Sequence, residues 1–517
     1  MENISGYAPI FFIALVSIIL IRSVLTTTRS KLRLPPSPWA LPIIGHLHLL
    51  QKPLHRCLQN LSDRYGPLIH IYLGSLPVVV VSSAELAKEI LKTHELSFCN
   101  RSANAAIRYL TYDATDLAFC PYGTYWKFMK KLCMSELLNG RMLDQLSAIR
   151  QEEISQFLQK LKRKGEAGEA VNVGEEALQL TNSIIMRMST GKSLFHTEEE
   201  AREVIRRVKD GSELCSIFNL SDYFWFCKNL DLQGIGKRLK EVRDKFDFIL
   251  ENIIKEHKEA RNKSAAQDKD ILDVLLSISE DESSKVKITK NNMKGFLMDI
   301  LSGGTDTSAV SIEWAMAELI KQPEVMEKAR KEIDSVIGRN RVVMESDMAD
   351  LPYIEAVVKE TLRLHPPSPL MIRESVEKCS VRGYDIPENT QVFINVWAIG
   401  RNAKYWENPL EFRPERFLSR DGNGKEMNLE VRGQHYQFLP FGSGRRGCPG
   451  VSLALHVVHT TLAAMIQCFE WKEADGGNGC LDMTEGPAVI LSRAQPLTRV
   501  PIPRFSPFPP SLPQPQI

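Results

Sequence analysis

The sequence predicts a mainly α protein with a small β portion, and three observations carry that prediction. Helical patterning runs through most of the chain from residue 122 onward. Runs rich in β-forming residues are confined to short stretches, 68–73 and 78–81 early in the chain and 380–384 and 391–396 late. No internal repeat and no self-contained boundary divides the chain, although 517 residues would by length alone allow two to four domains.

Residues 7–25 are apolar apart from Ser17, Arg22 and Ser23, enough to span a hydrocarbon core if Arg22 snorkels toward the interface. Glu2 is the only charged side chain before them, so the basic start of a cleaved signal peptide is missing. Arg22, Arg29, Lys31 and Arg33 follow the body of the apolar run, which leaves the amino terminus outside and the remainder in the cytosol. Residues 1–28 are therefore expected to be a membrane anchor. Residues 29–50, basic and then rich in proline, form a stiff hinge, and 51–517 form a single globular domain.

Within that domain an amphipathic stretch at 54–64 leads through Tyr65-Gly66-Pro67 into a hairpin, its runs 68–73 and 78–81 joined by Gly74-Ser75-Leu76-Pro77. Ser82 with Glu85 reads as a capping box for a helix to about Lys92. Residues 122–142 and 146–164 are helical in pattern, with a polar break at 165–169. Residues 255–270 and 279–291 are charged and poor in apolar side chains, the composition of solvated linkers, and 501–517 form a proline-rich tail. With Lys+Arg 65 against Asp+Glu 63, nothing in the charge points to a nucleic-acid partner. The ten cysteines include no C-x-x-C pair, so neither a zinc site nor a disulfide framework is indicated, and a reducing compartment fits.

Four constellations carry chemistry. In Phe441-Gly-Ser-Gly-Arg-Arg-Gly-Cys-Pro-Gly450, glycines let the backbone curl so that N–H groups point at Cys448, and a predicted helix from Val451 to about Cys468 sets that sulfur beside a helix N-terminus. A single thiolate suits haem iron. The same glycines also spell G-x-G-x-x-G, but Pro440 stands where a dinucleotide fingerprint needs a central strand; a glycine turn with a buried structural cysteine is the other reading. The second constellation is the long apolar stretch 296–319, interrupted by Gly303-Gly304-Thr305-Asp306-Thr307-Ser308. Two adjacent glycines cost a helix roughly 1 kcal/mol each, which close approach of a ligand would explain. Thr307 could then donate a hydrogen bond and Asp306 exchange protons with solvent; a helix break capped by Thr305 or Asp306 is the alternative. The third is the pair Glu360 and Arg363 on a helix that begins near Tyr353, and the fourth is Phe412-Arg-Pro-Glu-Arg-Phe417. If Arg416 meets the pair, three charges satisfy one another inside the fold.

These motifs, in this order and over nearly the whole chain, resemble the cytochrome P450 haem-thiolate monooxygenases. The resemblance implies one large, mostly helical fold, with haem b between the helix carrying Gly303 to Thr307 and the Cys448 loop. It makes Cys448 the axial thiolate and metal ligand, Arg446 a haem-propionate partner and Phe441 the aromatic shielding the sulfur. Trp126, Lys130 and Arg373 match further propionate contacts, with lysine at 130 where arginine is commoner, a substitution that keeps the charge and loses the planar fork. Thr307 and Asp306 match the alcohol and acid of oxygen activation, and Glu360, Arg363 and Arg416 the structural charge cluster. No flavin or nicotinamide segment is visible, so the family implies a membrane-bound NADPH–cytochrome P450 reductase as electron donor, an endoplasmic reticulum location, and a small apolar substrate oxidised with O2. Basic residues around Arg432 and Arg445 are candidates for facing the reductase. Residues 122–134, 313–319 and 431–436 are similar to a plant microsomal group of flavone synthases of the second type, isoflavonoid and pterocarpan hydroxylases and triterpenoid oxidases. A haem-thiolate isomerase or dehydratase, or a haem-binding sensor, are the competing functions, and neither needs the acid and alcohol at 306 and 307.

Overall fold

The computed structural model describes residues 32–190, 198–228, 230–263, 270–283, 285–418, 429–473, 481–505 and 508, with a few positions between 9 and 17. Its spine is the helix Lys290–Lys321, 32 residues and so about 48 Å long. Thr289 starts it, the hydroxyl accepting from the Asn292 N–H while the Asn292 side chain accepts from the Thr289 N–H. It packs most extensively along Val173–Thr190, and also against Val451–Cys468 and Pro352–Leu364. Buried on several sides, this helix has no single apolar stripe, as expected of one threaded through the core. The adjacent Gly303 and Gly304 do not break it, so the alternative of a break capped at Thr305 or Asp306 is set aside.

Among the described residues nine strands complete the fold: β1 Leu68–Leu73, β2 Leu76–Val81, β3 Val171–Asn172, β4 Leu370–Glu374, β5 Cys379–Val381, β6 Tyr384–Ile386, β7 Gln391–Asn395, β8 Phe469–Lys472 and β9 Thr498–Pro503. The main sheet runs β1-β2-β7-β4; β2 and β7 are parallel and the other neighbours antiparallel. β3-β9-β8 and β5-β6 form two smaller sheets.

Several expectations shift in detail. The hairpin turn is two residues, Gly74-Ser75, and β2 starts at Leu76. The cap of the next helix is Ser83, whose hydroxyl accepts from the Leu86 N–H, while Ser82 is buried with its hydroxyl 2.8 Å from that of Ser62. The stretch 122–142 is two helices, Thr124–Glu136 and Gly140–Gln145, because Asn139 caps a new start at Gly140, its side chain accepting the Met142 N–H. The charged run from 255 is helical as far as Lys263: Ile235–Lys263 is one helix, seated on a buried stripe of Leu239, Val242, Phe246, Leu250 and Ile253. Of the proline-rich tail, Pro501 and Pro503 belong to β9, where β3 pairs only with Thr498 and Arg499 and leaves that side of the strand free of ladder bonds. The expected anchor falls almost entirely outside the described residues. Among the described residues the one helix long and apolar enough to cross a membrane is Val451–Cys468, which is buried in the core.

Candidate active site: a cysteine, a cation cluster and a helix face around one cavity

A cavity of about 1700 Å³ opens between the Lys290–Lys321 helix and the 441–450 loop. Cys448 lies on its wall, two residues before the Gly450 cap of Val451–Cys468. The loop is closed by the Cys448 N–H donating to the Phe441 carbonyl at 2.9 Å and the Gly447 N–H donating to Gly444 at 2.9 Å. Only Gly442 and Gly444 need glycine for their backbone, at φ of 72° and 70°; a Cβ at Gly444 would stand 2.8 Å from the Leu91 carbonyl. Burial pushes the Cys448 thiol up, against the Gly450 N–H and the charges of Arg101 and Lys130.

Beside the cysteine stand four cations, Arg101, Lys130, Arg373 and Arg446, and among the described residues none has a carboxylate partner. Arg446 is held by carbonyls, its Nε donating to Cys99 at 2.8 Å and Nη2 to Cys120 at 2.6 Å, and its guanidinium lies 4.6 Å from the Trp126 ring centre. Arg101 donates to the Arg446 carbonyl at 2.9 Å and to Ala118 at 3.2 Å. Lys130 donates to the carbonyls of Arg445 and Gly447. The Trp126 N–H is taken by the Leu117 carbonyl at 3.1 Å. Arg373 is fully enclosed on β4; burial, then Arg101 and Arg446, push its guanidinium well below the usual range. Burial and Arg101 likewise lower Arg446 to about 10. Buried positive charge without a direct ion-pair partner is costly, carboxylates such as Asp299 acting on Arg101 only at a distance, so this cluster is built for an anionic guest.

Across the cavity the two glycines of the long helix divide the work. A Cβ at Gly303 would enter open space, whereas one at Gly304 would lie 2.5 Å from the Ile185 side chain. Gly303 leaves room for a ligand, and Gly304 lets the Val173–Thr190 helix approach. Thr307 and Asp306 both line the cavity. The Thr307 hydroxyl donates to the Gly303 carbonyl at 2.8 Å, so its proton is engaged and its oxygen is left to accept. Burial pushes the Asp306 carboxyl up to about 6, opposed by the Ser212 hydroxyl at 3.5 Å and the charge of Lys209.

Away from the cavity, Arg363 forks onto Glu360, Nε to Oε2 at 2.6 Å and Nη2 to Oε1 at 2.7 Å, and Arg416 Nε reaches Glu360 Oε1 at 3.0 Å. All three are buried. Their remaining donors go to the carbonyls of Gly400, Glu407, Pro409 and Glu411.

The model of the family described as "Cytochrome P450" matches residues 35–498. The chain belongs to the cytochrome P450 family. Among its P450 relatives, a 3,9-dihydroxypterocarpan 6A-monooxygenase of Glycine max is 54% identical over 97% of this chain and 99% of its own. A beta-amyrin 24-hydroxylase of Glycine max is 48% identical over 98% and 100%. A 2-hydroxyisoflavanone synthase of Glycyrrhiza uralensis is 44% identical over 92% of each. A zebra fish cytochrome P450 solved with progesterone superposes with a TM-score of 0.75 at 26% identity, over 88% of this chain and all of that one. This P450 is thus an oxygen-incorporating monooxygenase whose cofactor is haem with a cysteine thiolate on the iron.

The residues present fit that cofactor: its two carboxylates answer the four cations that lack one, and a thiol stands on the cavity wall near them. Sequence reasoning missed two members of this P450 site. Arg101 follows no motif, although an isolated arginine after an apolar run is a weak sign of one. Asp299, on the cavity wall, accepts the backbone N–H groups of Leu117 and Ala118 at 2.5 and 2.9 Å. It faces Asp116, a completely buried carboxyl within hydrogen-bonding reach of it. Burial first, and then the neighbouring carboxylate, push Asp116 upward, so the pair holds a proton at neutral pH.

Proposed function

We propose that this P450 hydroxylates a flavonoid, isoflavonoid or pterocarpan, with Cys448 as the axial ligand of haem b. The observation that carries this reading is the meeting, on one cavity, of Cys448, a cation cluster without carboxylates and the Asp306–Thr307 face, in a chain 54% identical to a pterocarpan monooxygenase. Cys215 is the other cysteine on the cavity wall, but burial holds its thiol up at about 12 and no cation faces it. Phe441 shields the Cys448 sulfur, and Arg446, Arg373, Lys130 and Arg101 hold the propionates, with Trp126 stacked beneath Arg446. Haem held there, with the Cys448 thiolate on its iron, would supply oxygen activation. The chain's own task is the proton: Asp306 titrates near neutrality and can take one from solvent and give one into the cavity, while the Thr307 oxygen accepts a hydrogen bond there. Glu360, Arg363 and Arg416 keep the frame together.

Residues 1–28 serve as a single-pass anchor in the endoplasmic reticulum, with 29–50 as the hinge and 51–517 as one haem-binding domain on the cytosolic side. Phe12 and Ile13, helical and exposed, support the anchor. Electrons come from NADPH–cytochrome P450 reductase, facing Arg445 and Arg432. The second reading is triterpenoid oxidation, favoured by the relative named for beta-amyrin at 48% identity and by the size of the cavity. Microsomes holding this protein and the reductase, fed both substrate classes with NADPH, decide between them by mass spectrometry. Oxygenated flavonoid-type products are expected, and products from triterpenoids alone would overturn the first reading.

A further inference from the structure

Asp306 does not stand alone on the cavity wall. The helix Glu198–Ser216 crosses the cavity opposite it and presents Lys209 and Ser212, which lie i,i+3 and so share one face. Among the described residues Ser212 is the one side chain that hydrogen-bonds the Asp306 carboxyl, its hydroxyl 3.5 Å from Oδ2. That is long beside the roughly 2.7 Å usual for such a bond, so a small inward shift of the helix tightens it. The Ser212 carbonyl accepts the Ser216 hydroxyl at 2.8 Å, and a Cβ at the adjacent Gly211 would meet Leu110, Val242 and Phe246. Thr307 offers Asp306 no proton in this arrangement, because its hydroxyl is turned to the Gly303 carbonyl.

We infer that Ser212 is a positioning residue for proton delivery, holding the Asp306 carboxyl from the helix that also walls the substrate cavity. The inference rests on the reading of Asp306 as the proton-handling acid. Hydroxylation converts the substrate C–H, O2, two electrons and two protons into the alcohol and water. With the acid misaimed, the same two electrons and two protons leave with O2 as hydrogen peroxide, and the substrate is unchanged.

The test uses full-length protein with reductase in membranes, comparing wild type, Ser212→Ala, Ser212→Thr and Asp306→Asn. For each, the carbon monoxide difference spectrum establishes the folded haem protein, and product and peroxide are measured per NADPH consumed. Ser212→Ala should lower product per NADPH by about threefold or more, with a matching rise in peroxide and an unchanged substrate KM, and Ser212→Thr should restore it. Ser212→Ala with unaltered coupling while Asp306→Asn is uncoupled would overturn the role of Ser212 alone. A raised KM with unaltered coupling would make Ser212 a substrate contact instead. Full coupling in Asp306→Asn would remove the acid, and this inference with it.

Discussion

Asp116 and Asp299 show how a residue without a motif can matter as much as one within a motif. Asp116 is completely buried and Asp299 lies opposite, so one of them must keep its proton. Because burial raises the Asp116 carboxyl, the folded chain holds this proton more tightly than the unfolded chain does. Its stabilising contribution is complete below roughly pH 4, where a free aspartate ionises, and is lost as pH rises through the raised value. Asp116→Asn, which keeps the shape and a donor without the charge, should therefore gain on the wild type as pH increases, seen as a flatter melting temperature against pH between about pH 4 and pH 9. A melting curve as pH-dependent as the wild type's would count against the shared proton. Cys448, Arg446, Thr307 and Asp306 were legible because each sits inside a run whose neighbours betray it. Arg101, Asp116 and Asp299 were not, since what sets them at the cavity is the fold bringing residues 101, 116–120 and 299 together, and no local spacing encodes that.

The long helix divides its labour between two adjacent glycines, and alanine at each should separate the roles. Both substitutions gain the same helix propensity, roughly 1 kcal/mol, so the difference between them reports surroundings alone. Gly304→Ala drives a methyl group toward Ile185 and should be less stable than Gly303→Ala by roughly 1–3 kcal/mol in thermal melts. Gly303→Ala, whose methyl group enters the cavity, should instead weaken the substrate-induced spectral shift. In sequence the pair read as a single ligand-driven feature, because periodicity cannot tell which face of a core helix meets a cavity and which meets a neighbour. The same limit hid the helical character of the charged run after residue 255, where a stripe of buried residues upstream outweighs the composition. β4, which carries Arg373, was missed because its five residues follow a proline-rich turn and show no alternation.

At the scale of the molecule, the Glu360 cluster ties the Pro352–Leu364 helix to the segment 400–416 through one carboxylate. Glu360→Gln leaves two buried guanidinium groups without their counter-charge, at a cost of about 3–5 kcal/mol. The variant should lose both the carbon monoxide spectrum and recoverable soluble protein; a spectrally normal variant would refute this role. Deleting residues 1–28 should leave that spectrum intact and reduce sedimentation with membranes. The mainly helical class and the order of the motifs were readable because composition and spacing are local properties, whereas sheet order and the packing of helices depend on contacts between distant segments. The four cations around the cavity have one further consequence, for the life of the chain before it is active. Until a dianion arrives they repel one another in a low-dielectric wall, so the empty protein is the less stable form, and ligand binding to the folded state alone shifts the balance by mass action. Raising the supply of haem precursor in cells making this protein should therefore increase the amount of protein and not only its activity.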